Sequence, residues 1–449
     1  MSAAGASSGS SNVMRILVPA LIIDMLAFTC ILPLFPSILN FYAKSGHRDQ
    51  LYDLSVSLLK SFQSALGVPH NERYNNVFFG GLLGSMFSAL QFLASPTLGA
   101  LSDIYGRRTM LLLSCIGTLI SYIVWLRAET FTVFVLSRII GGLSKANVNV
   151  ATAIVTDVYK SEDNPKGMAL IGISYSVGFL IGPMFGAYFS TIAPKDALHT
   201  TPAIFSIVLT CIHFLLVAFL LPETLKYEER RKSEDIVRKA NQLVSPLDLF
   251  RFSAVDAPTE KKHEMQKIGT IYFIYLFLYA GLEFTLPFLT HLRFNFNSMQ
   301  QSKIYLFTGL LMLPIQGRIV RKTPMIKQKR VAEIGIMCIV PAFMVVAQAT
   351  NQYMLYFGLF LYAIASATVV SCLTSLVSAV HPSTDKGALA GVFRSIGALA
   401  RALGPVIAST LFWLAGPTRC YTVGGILLLI PLILLRRLEN PVQEAKKDL

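Results

Sequence analysis

Twelve stretches of this chain are apolar for long enough to cross a membrane, and that number constrains the fold more than any other feature. They cover residues 14–39, 77–101, 109–127, 131–157, 166–190, 203–221, 267–290, 302–320, 330–348, 352–379, 386–413 and 419–436. A transmembrane helix needs about 20 predominantly apolar residues. Only 14% of the 449 residues are charged, against about a quarter in a soluble domain. The expected fold is an all-α polytopic membrane protein, and the lipid bilayer is its first partner.

The charge that remains sits between the spans. Arg107 and Arg108, Lys160 and Lys166, the run from Lys226 to Lys239, Arg321 to Arg330, Lys386, Arg436 and Arg437 fall on one side. A net charge of +14 distributed in this way marks the cytoplasmic face, and no nucleic-acid partner is expected. Both termini are then cytoplasmic, and the 40–76 loop faces the outside or a lumen. Within that loop, Leu54–Leu66 has apolar residues at helical spacing and is expected to lie on the membrane surface. Cys30, Cys115, Cys211, Cys338, Cys372 and Cys420 form no C-x-x-C pair and read as small core residues, with no disulfide framework and no metal site. No HExxH, G-x-S-x-G or Walker sequence occurs, so neither an enzyme nor an ATP-driven pump is expected, and no cofactor.

The longest polar break divides the spans six and six. The expected organisation is a disordered Ser/Gly/Ala-rich tail (1–13), a six-span half (14–221), a charged linker (222–266), a second six-span half (267–436) and a cytoplasmic tail (437–449). The halves echo each other. Span 5 runs from Lys166-Gly167 to Gly182-Pro183, and span 11 from Lys386-Gly387 to Gly404-Pro405, with spacings that differ by two residues. Equivalent sequence features in two halves are what a transporter built from internal repeats predicts, and a monomer suffices for such an architecture.

Spans 2 and 3 are joined by Gly99-Ala-Leu-Ser-Asp103-Ile-Tyr-Gly106-Arg107-Arg108. Gly99, Leu101, Asp103, Gly106, Arg107 and Arg108 match the signature G-x-L-x-D-x-x-G-R-R, and over nearly its whole length the chain resembles the major facilitator superfamily. Ile104 stands where a base often follows the acid. Arg138-Ile-Ile-Gly-Gly142 resembles the family's intramembrane Arg motif. Gly178-x-x-x-Gly182-Pro183-x-x-Gly186 resembles the antiporter motif of the drug:proton branch, and Leu221-Pro-Glu-Thr224 closes span 6 as in that branch. Arg73–Gly81, Ser137–Lys145 and Arg394–Arg401 look like a vertebrate member of the family, a likeness that implies export of organic anions. The resemblance further implies two pseudo-symmetric six-helix halves in the major facilitator fold, with spans 1, 4, 7 and 10 lining the cavity. It also implies a latch in which Asp103 meets the start of span 11 in the outward-open state. Arg107 and Arg108 serve either that latch or topology alone.

Glycines spaced by four let helices approach closely in lipid, so Gly178, Gly182 and Gly186 are either tight packing or, with Pro183, a hinge at the interface. Gly404 and Pro405 stand in the equivalent place. An ionisable residue inside a span costs about 2.5–3.5 kcal/mol or more, which makes each one a candidate for function. Asp24 and Glu283 are the candidate proton carriers, since a desolvated carboxyl exchanges its proton nearer neutrality. Lys145 with Arg401 would form a positive site, with Arg138 and Arg394 either binding substrate or bracing the spans. Four bases against two acids favour an organic anion, coupled to protons and exported. Cations or zwitterions, which Asp24 and Glu283 would bind, and a non-transporting sensor or scaffold are the alternatives. Phe28, Phe35, Tyr175, Phe284 and Phe288 would line the apolar part of a site or simply pack.

Overall fold

Helix persists wherever the apolar runs last. The computed structural model describes residues 3–43, 48–66, 75–159, 164–193, 199–225, 245–255, 257–320, 322–380 and 386–439. Among them, 10 helical stretches are long and apolar enough to cross a membrane. The stretch 391–437 doubles back at Gly416-Pro417, where Gly416 adopts φ 82°, a left-handed backbone that glycine tolerates without strain. Ser298–Pro314, continued by a π turn over Ile315–Val320, adds one more. These two features complete the twelve expected spans.

Spans 3 and 6 show where the lipid lies. Leu113, Ile116, Ile120 and Ile123 on Arg107–Leu126, and Ile204, Val208, Ile212, Leu215 and Phe219 on Thr200–Phe219, are exposed at helical spacing. Opposite faces of the same helices bury Ser114, Cys115, Thr118 and His213. We call the side of the basic loops inner and the side of the 40–76 loop outer.

Three boundaries differ from the sequence expectation. The first helix begins at Ala3, inside the stretch expected to be disordered; its alanines are strong helix formers and continue the turn started by span 1. Span 7 begins at Thr259 rather than 267. Part of the linker is built onto the second half: Pro246–Arg251 is a short helix capped by Ser245, and the Phe252 that follows is fully buried beside Gly269 and Phe393. The charged run Lys226–Lys239, Lys160 and the tail from 440 lie outside the described residues.

The outer helix Gln50–Leu66 buries Tyr52 and Leu59 and exposes Leu54 and Leu58. One carboxylate ties it down. Asp49 Oδ1 accepts from the Tyr52 amide at 2.9 Å, and Oδ2 from the Thr132 amide at 2.6 Å, so it serves the first turns of two helices. Partial desolvation opposes its charge, but these amide donors outweigh it and hold the Asp49 carboxyl below the usual range.

Candidate functional site

Span 4 is broken where the sequence predicts a continuous helix. It ends at Ser144 and restarts at Asn147. Neither glycine nor proline occupies the break. Instead, side chains from neighbouring spans receive the freed backbone groups. Ser95 and Gln91 donate to the Lys145 carbonyl at 3.0 and 3.3 Å. Ser114 Oγ donates to the Ser144 carbonyl and accepts from the Ala146 amide.

The break turns Lys145 toward span 1. Its Nζ lies 2.7 and 2.8 Å from the two Asp24 oxygens, and both side chains are buried. It also sits 5.0 Å from the Phe28 ring centre. His213 Nδ1, from span 6, lies 3.9 Å from Asp24 Oδ1, with Cys115 Sγ 3.4 Å from the same nitrogen. Lys145, expected to act with Arg401 as a positive site, is paired here with Asp24.

Glu283 heads a separate hydroxyl cluster in the second half. Tyr362 and Tyr279 donate to its Oε1 at 2.6 and 3.1 Å. The two phenols are 2.7 Å apart with stacked rings, and Ser366 Oγ lies 2.7 Å from Tyr279. Arg401 is exposed although it lies mid-span. Arg394 crosses between halves. Its guanidinium donates to the Val148 carbonyl at 2.6 Å and to Asn149 Oδ1 at 3.3 Å, one turn beyond the span 4 break. Arg138 is enclosed within the first half between Trp125 and Phe134; neither an acid nor a carbonyl braces it among the described residues.

Phe35, Phe284 and Phe288 plug the outer side between the halves. Phe35 and Phe284 ring centres are 5.8 Å apart, and Phe284 and Phe288 lie on Gly84 and Gly80 of span 2. Ser85 Oγ accepts from the Val406 amide at 2.8 Å, next to Pro405, which has no N–H of its own. Asn40 and His291, Asn75 and Trp413, and Ser302 and the Pro183 carbonyl complete the outer seal. Gly178, Gly182 and Gly186 do not face the interface; they press span 5 onto Met25, Thr29 and Cys30 of span 1 in the same half. Gly404 presses span 11 onto Phe277 and Gly281 of span 7. The repeat seen in the sequence is thus a repeat of packing within each half.

The loop at 99–108 folds back on its own half. Gly106 turns the chain with φ 98° and opens span 3. Arg107 pairs with Asp103 and donates from Nε to Asp157 Oδ2 at 2.9 Å. Glu223 takes the Arg107 and Arg108 amides at 2.9 and 3.2 Å, so its carboxylate caps the helix. The Arg108 side chain reaches the Ala218 carbonyl. A methyl at Gly99 would meet Asn149 Cβ at 3.9 Å, an ordinary contact, so this glycine marks no tight approach. The side chains of Lys386 and Ala388, which Asp103 would approach, lie outside the described residues. Asp157, Glu223, His213 and Tyr362 were missed as site residues; an acid at each inner end of spans 4 and 6 was the available signal for the first two.

Two six-helix halves, sealed at one face and holding ionisable groups between and beside the seam, define a membrane transporter rather than an enzyme. The family model of the Major Facilitator Superfamily matches residues 17–405, and the chain belongs to that family. It is 42% identical to the Mus musculus major facilitator superfamily domain-containing protein 10 over 97% of this chain and 95% of that one. It is 25% identical to the class B tetracycline resistance protein of Escherichia coli, covering 74% and 78%. The crystal structure of the human organic anion transporter MFSD10 (TETRAN) superposes with a TM-score of 0.80 at 40% identity, covering 95% of this chain and 99% of that one.

Proposed function

We propose that the chain is a proton-coupled secondary transporter of amphipathic organic anions that works by alternating access as a monomer. The observation that carries this reading is the Asp24–Lys145 pair set in the span 4 break. A buried cation whose only charged partner is a carboxylate is a binding place for another carboxylate. An organic anion that takes Lys145 leaves Asp24 without its cation, and a proton then neutralises Asp24. Anion and proton favour each other's binding, and by linkage the effect is reciprocal. Efflux in this scheme is exit from the more acidic side together with the proton, which differs from the exchange that the span 5 resemblance implies. Arg401 supports the anion from the second half, and Glu283 with its phenols is the second proton carrier. The similarity to an organic anion transporter supports the substrate class, and the charge census of the spans agrees with it. Basic loops support placing both termini in the cytoplasm.

A cationic substrate would instead take Asp24 or Glu283, and the similarity to an organic anion transporter favours the anion. The test uses Lys145→Ala and Glu283→Gln in proteoliposomes. Lys145→Ala should weaken anion binding by tenfold or more, on the order of one charge-assisted contact. Glu283→Gln should abolish proton-driven transport while leaving binding and folding intact. Unchanged affinity for every anion in the first, or full gradient-driven uptake in the second, removes that residue from the scheme.

A further inference from the structure

Arg138 is an intramembrane base that the transport scheme leaves without a task. It is 4% exposed. Its guanidinium carbon lies 5.4 Å from the Trp125 ring centre and 5.5 Å from that of Phe134. Nε donates to Ser137 Oγ at 3.2 Å. Among the described residues NH2 has no acceptor, and no carboxylate pairs with the group. The titratable groups in its field are Tyr122, Tyr42 and Cys30, none of which is negative at neutral pH in its ordinary range.

A second orphan lies beside it. Trp125 is fully buried, and its Nε1, on the rim of the ring beneath the guanidinium, also has no acceptor. Of the nearby hydroxyls, Tyr42 donates to the Ala128 carbonyl at 2.6 Å and Ser137 to the Phe134 carbonyl at 2.6 Å; Ser137 Oγ accepts from Arg138 Nε, and neither oxygen accepts from NH2 or from the Trp125 N–H. Two buried donors, one of them a full charge, thus belong to residues in contact and have no acceptor among the described residues. Leaving such groups unmatched is costly, and for a charge most of all.

We propose that the outer part of the first half holds a small inorganic anion, of chloride size, between the Arg138 guanidinium and the Trp125 indole N–H. Water would satisfy the donors but not the charge; an anion does both. The guanidinium lies against the Trp125 and Phe134 rings and is 4% exposed, which favours a small ion over an amphiphile. The anion would join those two helices next to Tyr42, where span 1 meets the outer helix connection.

The experiment uses the full chain in lipid nanodiscs, without substrate. The unfolding midpoint is measured in sodium chloride and in sodium gluconate at equal ionic strength, and retention of radiolabelled chloride is counted per chain. The wild type should show a saturable rise in midpoint with chloride and hold about one chloride. Trp125→Phe keeps the aromatic face and removes the N–H; its half-saturating chloride should rise by about tenfold, the loss of one hydrogen bond to an ion. Arg138→Gln should lose the chloride response. A wild type with the same midpoint in both salts and no retained chloride overturns the proposal. A chloride response that persists unchanged in Trp125→Phe overturns it too, since the anion then lies elsewhere; these two results decide the matter even if Arg138→Gln fails to fold. None of these readouts involves transport, so they stand or fall apart from the scheme at Lys145.

Discussion

Removing Arg107 leaves Asp103 and Asp157 without the base that both face. Asp157 and Arg107 are largely buried, whereas the Asp103 side chain is 29% exposed. Arg107→Ala should therefore destabilise the first half by about 1–3 kcal/mol, measured by thermal unfolding in a mild detergent. Asp103→Asn should cost less, because Arg107 keeps Asp157. Arg108→Ala, which gives up a bond to one carbonyl, should cost least, and an Arg108 effect larger than that of Asp103 would contradict the contacts described. At this scale the sequence shows which residues are out of place in lipid, because Asp24, Lys145, Arg138 and Glu283 each interrupt an apolar run. It does not show their partners. Tyr362 and Ser366 are far along the chain from Glu283, and His213 is farther still from Asp24, so no local period reports them. Nor can spacing tell that Arg138 has no carboxylate partner among the described residues.

The elements are held by close approach rather than by apolar burial, which has little drive in lipid. A methyl at Gly186 would overlap the Cys30 carbonyl, which is backbone and cannot swing aside, whereas one at Gly172 meets nothing within 4 Å. Gly186→Ala should cost about 1–3 kcal/mol or more, while Gly172→Ala should be neutral or stabilise by up to about 1 kcal/mol. Equal melting temperatures for the two would refute the packing of span 5 on span 1. Asp49 offers a test on the outer side. Its folded carboxyl is held below the usual range, so its anchoring is present above the ordinary carboxylate value of about 4 and is lost as pH falls through the lower folded value. Asp49→Asn should speed amide exchange over residues 50–66 at pH 6, where the wild type stays protected; matching exchange rates would remove the anchor. Span positions are legible because twenty apolar residues leave few alternatives. The break at Lys145 is not, because the groups that permit it, Ser95, Gln91 and Ser114, belong to other spans.

At the scale of the whole molecule, the six-and-six division and the Gly-Pro echo gave the architecture before any coordinate. The direction in which those glycines face was hidden, since a helix carries the same spacing whether its small face meets its own half or the other. The seam itself is made by pieces with no shared motif: Phe35, Phe284 and Phe288 over span 2 glycines outside, Arg394 on the Val148 carbonyl farther in. Between them lie the groups assigned to substrate and proton, and the central claim is that an anion and a proton load there together. The direct measurement is uptake into proteoliposomes, across an imposed pH step, of one amphipathic organic anion and one organic cation matched in size. The account predicts that the anion moves with the proton, from the acidic to the alkaline side, and that the cation does not respond. Movement of the cation against the proton, with the anion indifferent to the step, would contradict it.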